Sequence, residues 1–183
     1  MRASAGMPRT VLLREATAAD VPAIGRIYAP HVLRGLASFE EVPPSSEELL
    51  SRWRSAVALG LPYLVAERDG EVVGYSYAAR YRFRSAYRYT VEDSVYVEQG
   101  AGGQGIGTAL LGALIERCEA GPWRQMVAVI GDSGNAASIA LHERLGFRPA
   151  GTLHAVGFKL GRWVDSVLMQ RGLGAAERTP PGP

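Results

Sequence analysis

Val95-Tyr96-Val97-Glu98-Gln99-Gly100-Ala101-Gly102-Gly103-Gln104-Gly105-Ile106-Gly107-Thr108-Ala109-Leu110-Leu111 decides how this chain is read. Its left edge is β-branched and aromatic, the character of a strand, and from Ile106 apolar residues recur at helical spacing. The glycines between can take positive φ and let a ligand approach the backbone amides. The first N–H groups of the helix have no intrahelical partner and stand at the positive end of its dipole. Such a loop can cradle a phosphate or pyrophosphate.

Two familiar glycine motifs do not fit. The phosphate loop of nucleotide hydrolases needs Lys-Ser or Lys-Thr after its last glycine, whereas Gly107 is followed by Thr108-Ala109. A dinucleotide fingerprint wants an acidic residue about twenty positions on, where Met126 to Val129 is apolar.

The remaining chain sets broad limits. Its 183 residues allow one domain with a substantial core, and 47% hydrophobic with 21% charged residues and a formal charge of +2 call for neither nucleic acid nor membrane. The single cysteine, Cys118, excludes an internal disulfide and shares a helical stripe with Leu110, Leu111, Leu114 and Ile115, which makes it a core residue. No Cys/His spacing suggests a metal site. With no apolar run of membrane length and no secretory core, a cytoplasmic location is expected.

In order along the chain, residues 1–9 are short and irregular, with Met7 an alternative start. A domain over residues 10–171 follows. Val11 to Glu15 reads as a strand, and Thr17-Ala18-Ala19-Asp20 opens a helix that Pro30 should end or kink. After an irregular segment, Ser45-Ser46-Glu47-Glu48 caps a second helix that Gly60 stops. Tyr63 to Ala78 is a hairpin turning at Asp69-Gly70. Thr90 to Val97 is the next strand, then the glycine loop and a helix to about Ala120. Gln125 to Ile130 is a buried parallel strand, and Asp132 to Asn135 cap a helix that Gly146 ends. Phe147 to Thr152 and Trp163 to Met169 are the last strands, joined through Val156 to Arg162. Residues 172–183, rich in Gly, Ala and Pro, are expected to be disordered.

The loop Gly103-Gln104-Gly105-Ile106-Gly107 after Val95-Tyr96-Val97 resembles the acyl-CoA pyrophosphate loop of the GNAT superfamily of acetyltransferases. That pattern runs Arg or Gln, two residues, Gly, one residue, Gly or Ala, and the chain has Gly102 at the Arg/Gln position. The order β-α-α-β-β-β-α-β-α-β-β is that of the GNAT fold, and Asn135 to Ser138 with Leu145-Gly146-Phe147 resembles its second signature. The resemblance implies an α/β fold with a central mixed sheet and about four flanking helices. Within the superfamily, Tyr89 to Val97, Val127 to Ile130, Leu141 to Phe147 and Val156 to Asp165 are similar to the phosphinothricin and methionine sulfoximine acetyltransferase group.

What the resemblance implies is transfer of an acetyl group from acetyl-CoA to the primary amine of a small amino-acid-like substrate, by a homodimer. The ammonium must first lose a proton, and Glu92 matches the family's catalytic glutamate. Alternation sets Glu92 and Asp93 on opposite faces, so that only one faces the site. An N–H in Val95 to Val97, with Val97 preferred, would face the thioester carbonyl, and His142 would protonate the leaving thiolate where most GNATs have Tyr. Tyr96, Gly102, Gly103, Gln104, Gly105, Ile106, Gly107, Thr108, Asn135, Ser138 and Arg144 are the further cofactor positions implied. For the acceptor, Arg forks suit a carboxylate or phosphinate. Arg80, Arg82 and Arg84 share one face if extended; Arg82 and Arg84 are favoured, with Phe39, Tyr87 and Thr90 nearby and Lys159 to Trp163 completing the pocket.

Other readings stay open: a solvated basic loop, a single-stranded nucleic-acid platform on Arg80 to Tyr89, a non-catalytic acyl-CoA binder, or an enzyme acting on peptide N-termini.

Overall fold

A computed structural model describes residues 11–182, so the segment 1–9 lies outside the described residues. One sheet of seven strands runs through the molecule: β1 (Leu12–Glu15), β2 (Tyr63–Arg68), β3 (Glu71–Arg80), β4 (Thr90–Val97), β5 (Gln125–Gly131), β6 (Arg148–Lys159) and β7 (Arg162–Gly172). The spatial order is β1-β2-β3-β4-β5-β7-β6. Only β4 and β5 pair in parallel, as the intervening helix requires. The helices are α1 (Val21–Arg34), α2 (Ser46–Ala58), α3 (Ile106–Glu119) and α4 (Ala136–Arg144). The expected α/β architecture with a mixed sheet and four helices is what forms.

Alternation along the strands assigns the faces. Gly74 and Ser76 of β3 lie under α3: the Ser76 hydroxyl donates to the Leu110 carbonyl, and a Cβ on Gly74 would sit 3.0 Å from Leu110 Cδ1. Tyr75 and Tyr77 point the other way, toward α1 and α2, where Tyr63 stacks on Tyr77 at 4.8 Å and Tyr75 on Tyr96 at 5.3 Å. The α3 side is sealed by Leu110, Leu111, Leu114 and Cys118, all fully buried.

Local signals explain most boundaries. Ser45 accepts from the Glu48 N–H at the start of α2, and Asp69 and Gly70, both at positive φ, form the β2–β3 turn. Pro30, expected to end or kink α1, lies inside it. It removes one N–H, but its i−4 partner Arg26 is exposed, so the freed carbonyl is not sealed in the core. The last hairpin is also longer than its sequence suggests. Val156 to Arg162, read as a connection, is strand except for the two-residue turn Leu160-Gly161, whose φ values of 51° and 75° satisfy a tight hairpin that Leu does not advertise.

The segment from 172 is not a disordered tail among the described residues. Leu173 is fully buried, its N–H bonded to the Arg124 carbonyl at 2.9 Å, and Ala176–Arg178 form a 3-10 turn. A single leucine with a socket outweighs the surrounding Gly/Ala/Pro composition. No helix among the described residues is long and apolar enough to cross a membrane.

The first strand is pinned by a near-buried ion pair. Arg14 grips both Asp20 oxygens at 2.8 Å, and Asp20 also accepts from the Thr17 N–H at 2.7 Å. The Arg14 bond lowers the Asp20 pKa from 3.8 to about 2 despite burial. A depressed folded pKa means stability present above the unfolded value and lost as pH falls through the folded one. Asp20→Asn should therefore cost about 2 kcal/mol in urea unfolding at neutral pH. The gap between parent and variant should close as pH falls from 3.8 toward 2.

Candidate active site

The parallel pair parts early. β4 and β5 are in register from Thr90↔Gln125 to Asp93↔Ala128, and beyond that point they diverge. In β4 the even residues bond to β3, as the Thr90 carbonyl does to Tyr81 and the Glu98 N–H does to Val73, so the odd peptides face β5. Past Asp93 those peptides, Val95 and Val97, face a gap. One is already engaged: His31 Nε2 donates to the Val97 carbonyl at 3.0 Å, leaving the Val97 N–H toward the opening.

A cavity of about 60 Å³ passes through this gap. From the α1 side it is lined by Ala37, Ser94, Tyr96 and Val129, and from the α4 side by Asp93, Val95, Ser138 and His142. On the α4 side it meets a cleft of about 510 Å³ between the start of α3 and α4. Val95, Val97, Gly102, Gly103, Gly105, Ile106, Gly107, Thr108, Ser138, His142 and Arg144 border that cleft.

The glycine loop forms one end of it. Gly100, Gly103 and Gly105 have φ of 85°, 74° and 80°, and nothing lies within 4 Å of a Cβ built on any of them. Backbone and open space there suit a bound anion. Ala109 N–H is the first to bond back, to the Gly105 carbonyl at 2.9 Å, so the N–H groups of Ile106, Gly107 and Thr108 remain for a ligand. Gln104 is the exception among the loop positions: its amide donates to the Gly100 carbonyl and accepts from Arg68, so it braces the loop and is not part of the cleft wall. Arg68 thus brings a cation to the loop from β2, where the sequence pattern had lost one at Gly102.

Asn135 caps α4, accepting from the Ser138 N–H at 3.3 Å, and borders the through-sheet cavity. Tyr96 points away from the cofactor cleft, into the rings of Tyr28, His31 and Tyr75. His142 is buried, with Nε2 at 3.0 Å from Asp93 Oδ2 and Nδ1 at 2.7 Å from the Ser138 carbonyl. Asp93, set aside in the sequence reading as the carboxylate that misses the site, is therefore part of it. The pleat does put the two carboxylates on opposite faces, and the gap opens to both.

Glu92 stands on the α1 side, half-buried, two residues before Ser94 and beside Val127. Burial raises its pKa, Arg82 partly offsets this, and Asp93 adds to it. Glu92 lies within the paired stretch, one residue before the last β4–β5 pair, and so is set back from the gap.

The acceptor-side residues are gathered less completely. Arg80 ends β3, but Arg82 and Arg84 are not in an extended row: the chain bends and forms a 3-10 turn at Ser85–Tyr87. Arg82 lies over the Tyr81 ring at 4.3 Å, Tyr87 meets the same ring edge-on, and Thr90 begins β4. Phe39 packs against Gly157, where a Cβ would come within 2.0 Å of its ring, and Gly131 passes so near the Leu36 carbonyl that a Cβ would be 2.2 Å away. Lys159, buried, donates to the Ser38 carbonyl, and the Tyr28 and Ser38 hydroxyls are bonded at 2.7 Å. These contacts hold the segment after α1 over the α1 side of the gap. His31 and Arg68 were not singled out in sequence, since their roles depend on long-range contacts, and neither was the pocket lined by Tyr28 of α1 with Tyr63, Tyr75 and Tyr77 of β2 and β3. Among the described residues no cluster of His, Cys, Asp and Glu could hold a metal ion.

Residues 30–147 match the acetyltransferase (GNAT) family. Over 162 residues the chain is 60% identical to a phosphinothricin N-acetyltransferase of Alcaligenes faecalis, covering 88% of this chain and 82% of that protein. It is 42% identical over 169 residues to an L-methionine sulfoximine/L-methionine sulfone acetyltransferase of Pseudomonas paraeruginosa, covering 92% and 98%. A phosphinothricin acetyltransferase from Sinorhizobium meliloti, solved in complex with AcCoA, matches with a TM-score of 0.91 at 48% identity over 96% of this chain and 94% of that one. The chain belongs to the GNAT family of acetyltransferases.

Because Gly105 needs its left-handed conformation beside the anion cradle, Gly105→Val should weaken acetyl-CoA binding about tenfold or more by calorimetry, the effect of one to three kcal/mol of backbone strain.

Proposed function

We propose that this GNAT family member is an acetyl-CoA-dependent N-acetyltransferase for the primary amine of a small amino-acid-like substrate, such as phosphinothricin, methionine sulfoximine or methionine sulfone. The observation that carries the reading is the gap in the sheet, with a cofactor-sized cleft on one side and a half-buried carboxylate on the other. The relatives that act on these amino-acid analogues, one of them 60% identical, support the acceptor class.

Acetyl-CoA supplies a thioester whose acyl carbon is open to attack by a neutral amine. The glycine loop and the N–H groups of Ile106, Gly107 and Thr108 hold its pyrophosphate, and the groove beside Val95 and Val97 takes the pantetheine. Glu92 receives the ammonium proton through a bridging water, which its set-back position favours. Its raised pKa, caused by burial, makes it a stronger base than an exposed glutamate. The Val97 N–H, held toward the gap by the His31 bond on its carbonyl, donates to the thioester oxygen as that oxygen gains charge. His142 serves the leaving thiolate. Arg82 and Arg84, exposed at the rim, take the acceptor's carboxylate or phosphinate, and Phe39, Tyr87 and Thr90 wall the same mouth.

The enzyme acts as a homodimer in the cytoplasm on this reading. Leu153, Val156, Phe158, Leu160 and Trp163 are all about half exposed or more on the β6–β7 hairpin, and β6 is the outer strand of the sheet. Such an apolar edge invites a second copy. Light scattering should give twice the chain mass for the parent and the single mass for Trp163→Glu.

Activity should rise with pH through the elevated Glu92 pKa, because only the ionised carboxylate accepts a proton. Glu92→Gln should lower kcat by about 100-fold or more and remove that acidic limb, while acetyl-CoA binding persists. Thiol release across an amine panel checks both points. Turnover confined to the amino-acid analogues supports the proposal; a preference for polyamines or peptides would replace the acceptor, and parental kcat in Glu92→Gln would discard the base.

A further inference from the structure

Three side chains form a continuous path from the middle of the sheet to the wall of the cofactor cleft. The Asp93 carboxylate is almost completely buried, and among the described residues Oδ1 has no hydrogen-bond partner while Oδ2 meets His142 Nε2 at 3.0 Å. On the other side of the ring, Nδ1 lies 2.7 Å from the Ser138 carbonyl and 3.5 Å from the Ser138 hydroxyl. A carbonyl oxygen only accepts, so Nδ1 carries a hydrogen. Nε2 and Asp93 Oδ2 hold the remaining proton between them; with it on Nε2 the ring is an imidazolium beside a carboxylate, the form the wire uses. Burial alone would lower its pKa, but the bond and charge of Asp93 outweigh that and raise it.

The rest of the enclosure leaves this pair undisturbed. Phe147 packs edge-on at 4.9 Å, α3 presents the Cys118 thiol, which burial pushes up to about 12, and β5 contributes Ala128 and Ile130. Of the other carboxylates, Glu92 is on the opposite face of β4 and Glu119 ends α3 beyond Cys118. Both ring nitrogens are taken, so His142 cannot itself turn a proton toward the cleft without breaking a bond. Ser138 borders both the through-sheet cavity and the cofactor cleft, and its hydroxyl is the outward member of the path.

We propose that Asp93, His142 and Ser138 form a proton wire that protonates the departing coenzyme A thiolate. The assignment rests on the acetyl-transfer reading above and adds Asp93 and Ser138 to it. As the acyl carbon–sulfur bond breaks, its electron pair stays on sulfur. The Ser138 hydroxyl proton moves to sulfur as the Nδ1 hydrogen breaks its 2.7 Å bond to the Ser138 carbonyl and passes to Ser138 Oγ, 3.5 Å from Nδ1. The ring is left neutral, with its remaining hydrogen on Nε2 still donated to Asp93. The proton that Glu92 passed to water on the other face balances the one the ring regains from solvent. Asp93 touches no reacting atom; it is a positioning residue that fixes the charge and orientation of the imidazole.

Ser138→Ala, Ser138→Thr, Asp93→Asn and Asp93→Glu should be compared with the parent by thiol release over roughly pH 6 to 10, beside ¹⁵N NMR of the His142 ring in the acetyl-CoA complex. Ser138→Ala should lose about 10- to 100-fold in kcat with the KM for acetyl-CoA within about threefold, and Ser138→Thr should recover most of it. The acid must be protonated to act, so the alkaline limb of kcat falls at the ring pKa. Asp93→Asn should move that limb to lower pH by about one unit and give a neutral ring near pH 7, and Asp93→Glu should restore part of both. A raised KM with parental kcat in Ser138→Ala would overturn the wire and leave the serine a binding contact. So would a parental alkaline limb in Asp93→Asn; if that variant does not fold, Ser138→Ala decides alone. A parent silent toward every amine, with its imidazolium intact, would instead overturn the acetyl-transfer reading and the wire's role with it.

Discussion

Everything functional in this molecule depends on where β4 and β5 stop pairing. Four residue pairs hold them together, from Thr90↔Gln125 to Asp93↔Ala128, and then the hydrogen-bonding edge of β4 is left without a strand. Unpaired peptide groups inside a fold are costly unless something else satisfies them. Here His31 takes one, the Val97 carbonyl, and the cavity through the sheet leaves the neighbouring groups for a ligand. The gap is therefore both a defect in the sheet and the place where two reactants can meet from opposite sides.

The pleat then separates the chemistry. Glu92 and Asp93 are adjacent in sequence and stand on opposite faces, one set back on the α1 side and one bonded to His142 on the α4 side. Burial acts on both surroundings, but with different partners: Glu92 has only the distant offset of Arg82, whereas Asp93 is tied to a ring that shares its proton. The proposed mechanism, which removes a proton on one face and supplies one on the other, uses this division. The loop clamps on Ser38, Phe39 and Leu36 and the bracing of Gln104 by Arg68 keep the two sides of the gap in place.

Much of this was legible in the sequence because it is local. The glycine loop between a strand and a helix, the Ser45 and Asn135 caps and the Asp69-Gly70 turn are each set by a few neighbouring residues, and the order of elements followed from them. The errors arose where a distant contact overrides local preference. Leu173 anchors a segment whose composition suggests disorder. The Leu160-Gly161 turn hides behind a residue seldom found at positive φ. The arginines would share a face only if extended, and the chain turns there instead, with Arg82 stacked on Tyr81. Asp93 was discounted by reasoning that one face matters, which holds for an intact sheet and not for one with a gap.

The most direct measurement is a crystal structure with a thioether analogue of acetyl-CoA and the amino-acid substrate bound together. The account predicts pyrophosphate on the N–H groups of the Gly103 to Thr108 loop, sulfur in the gap beside Val95 and Ser138, and the amine arriving from the Glu92 side with a water between them. Cofactor lying outside the gap, or amine and sulfur on the same face of β4, would contradict it.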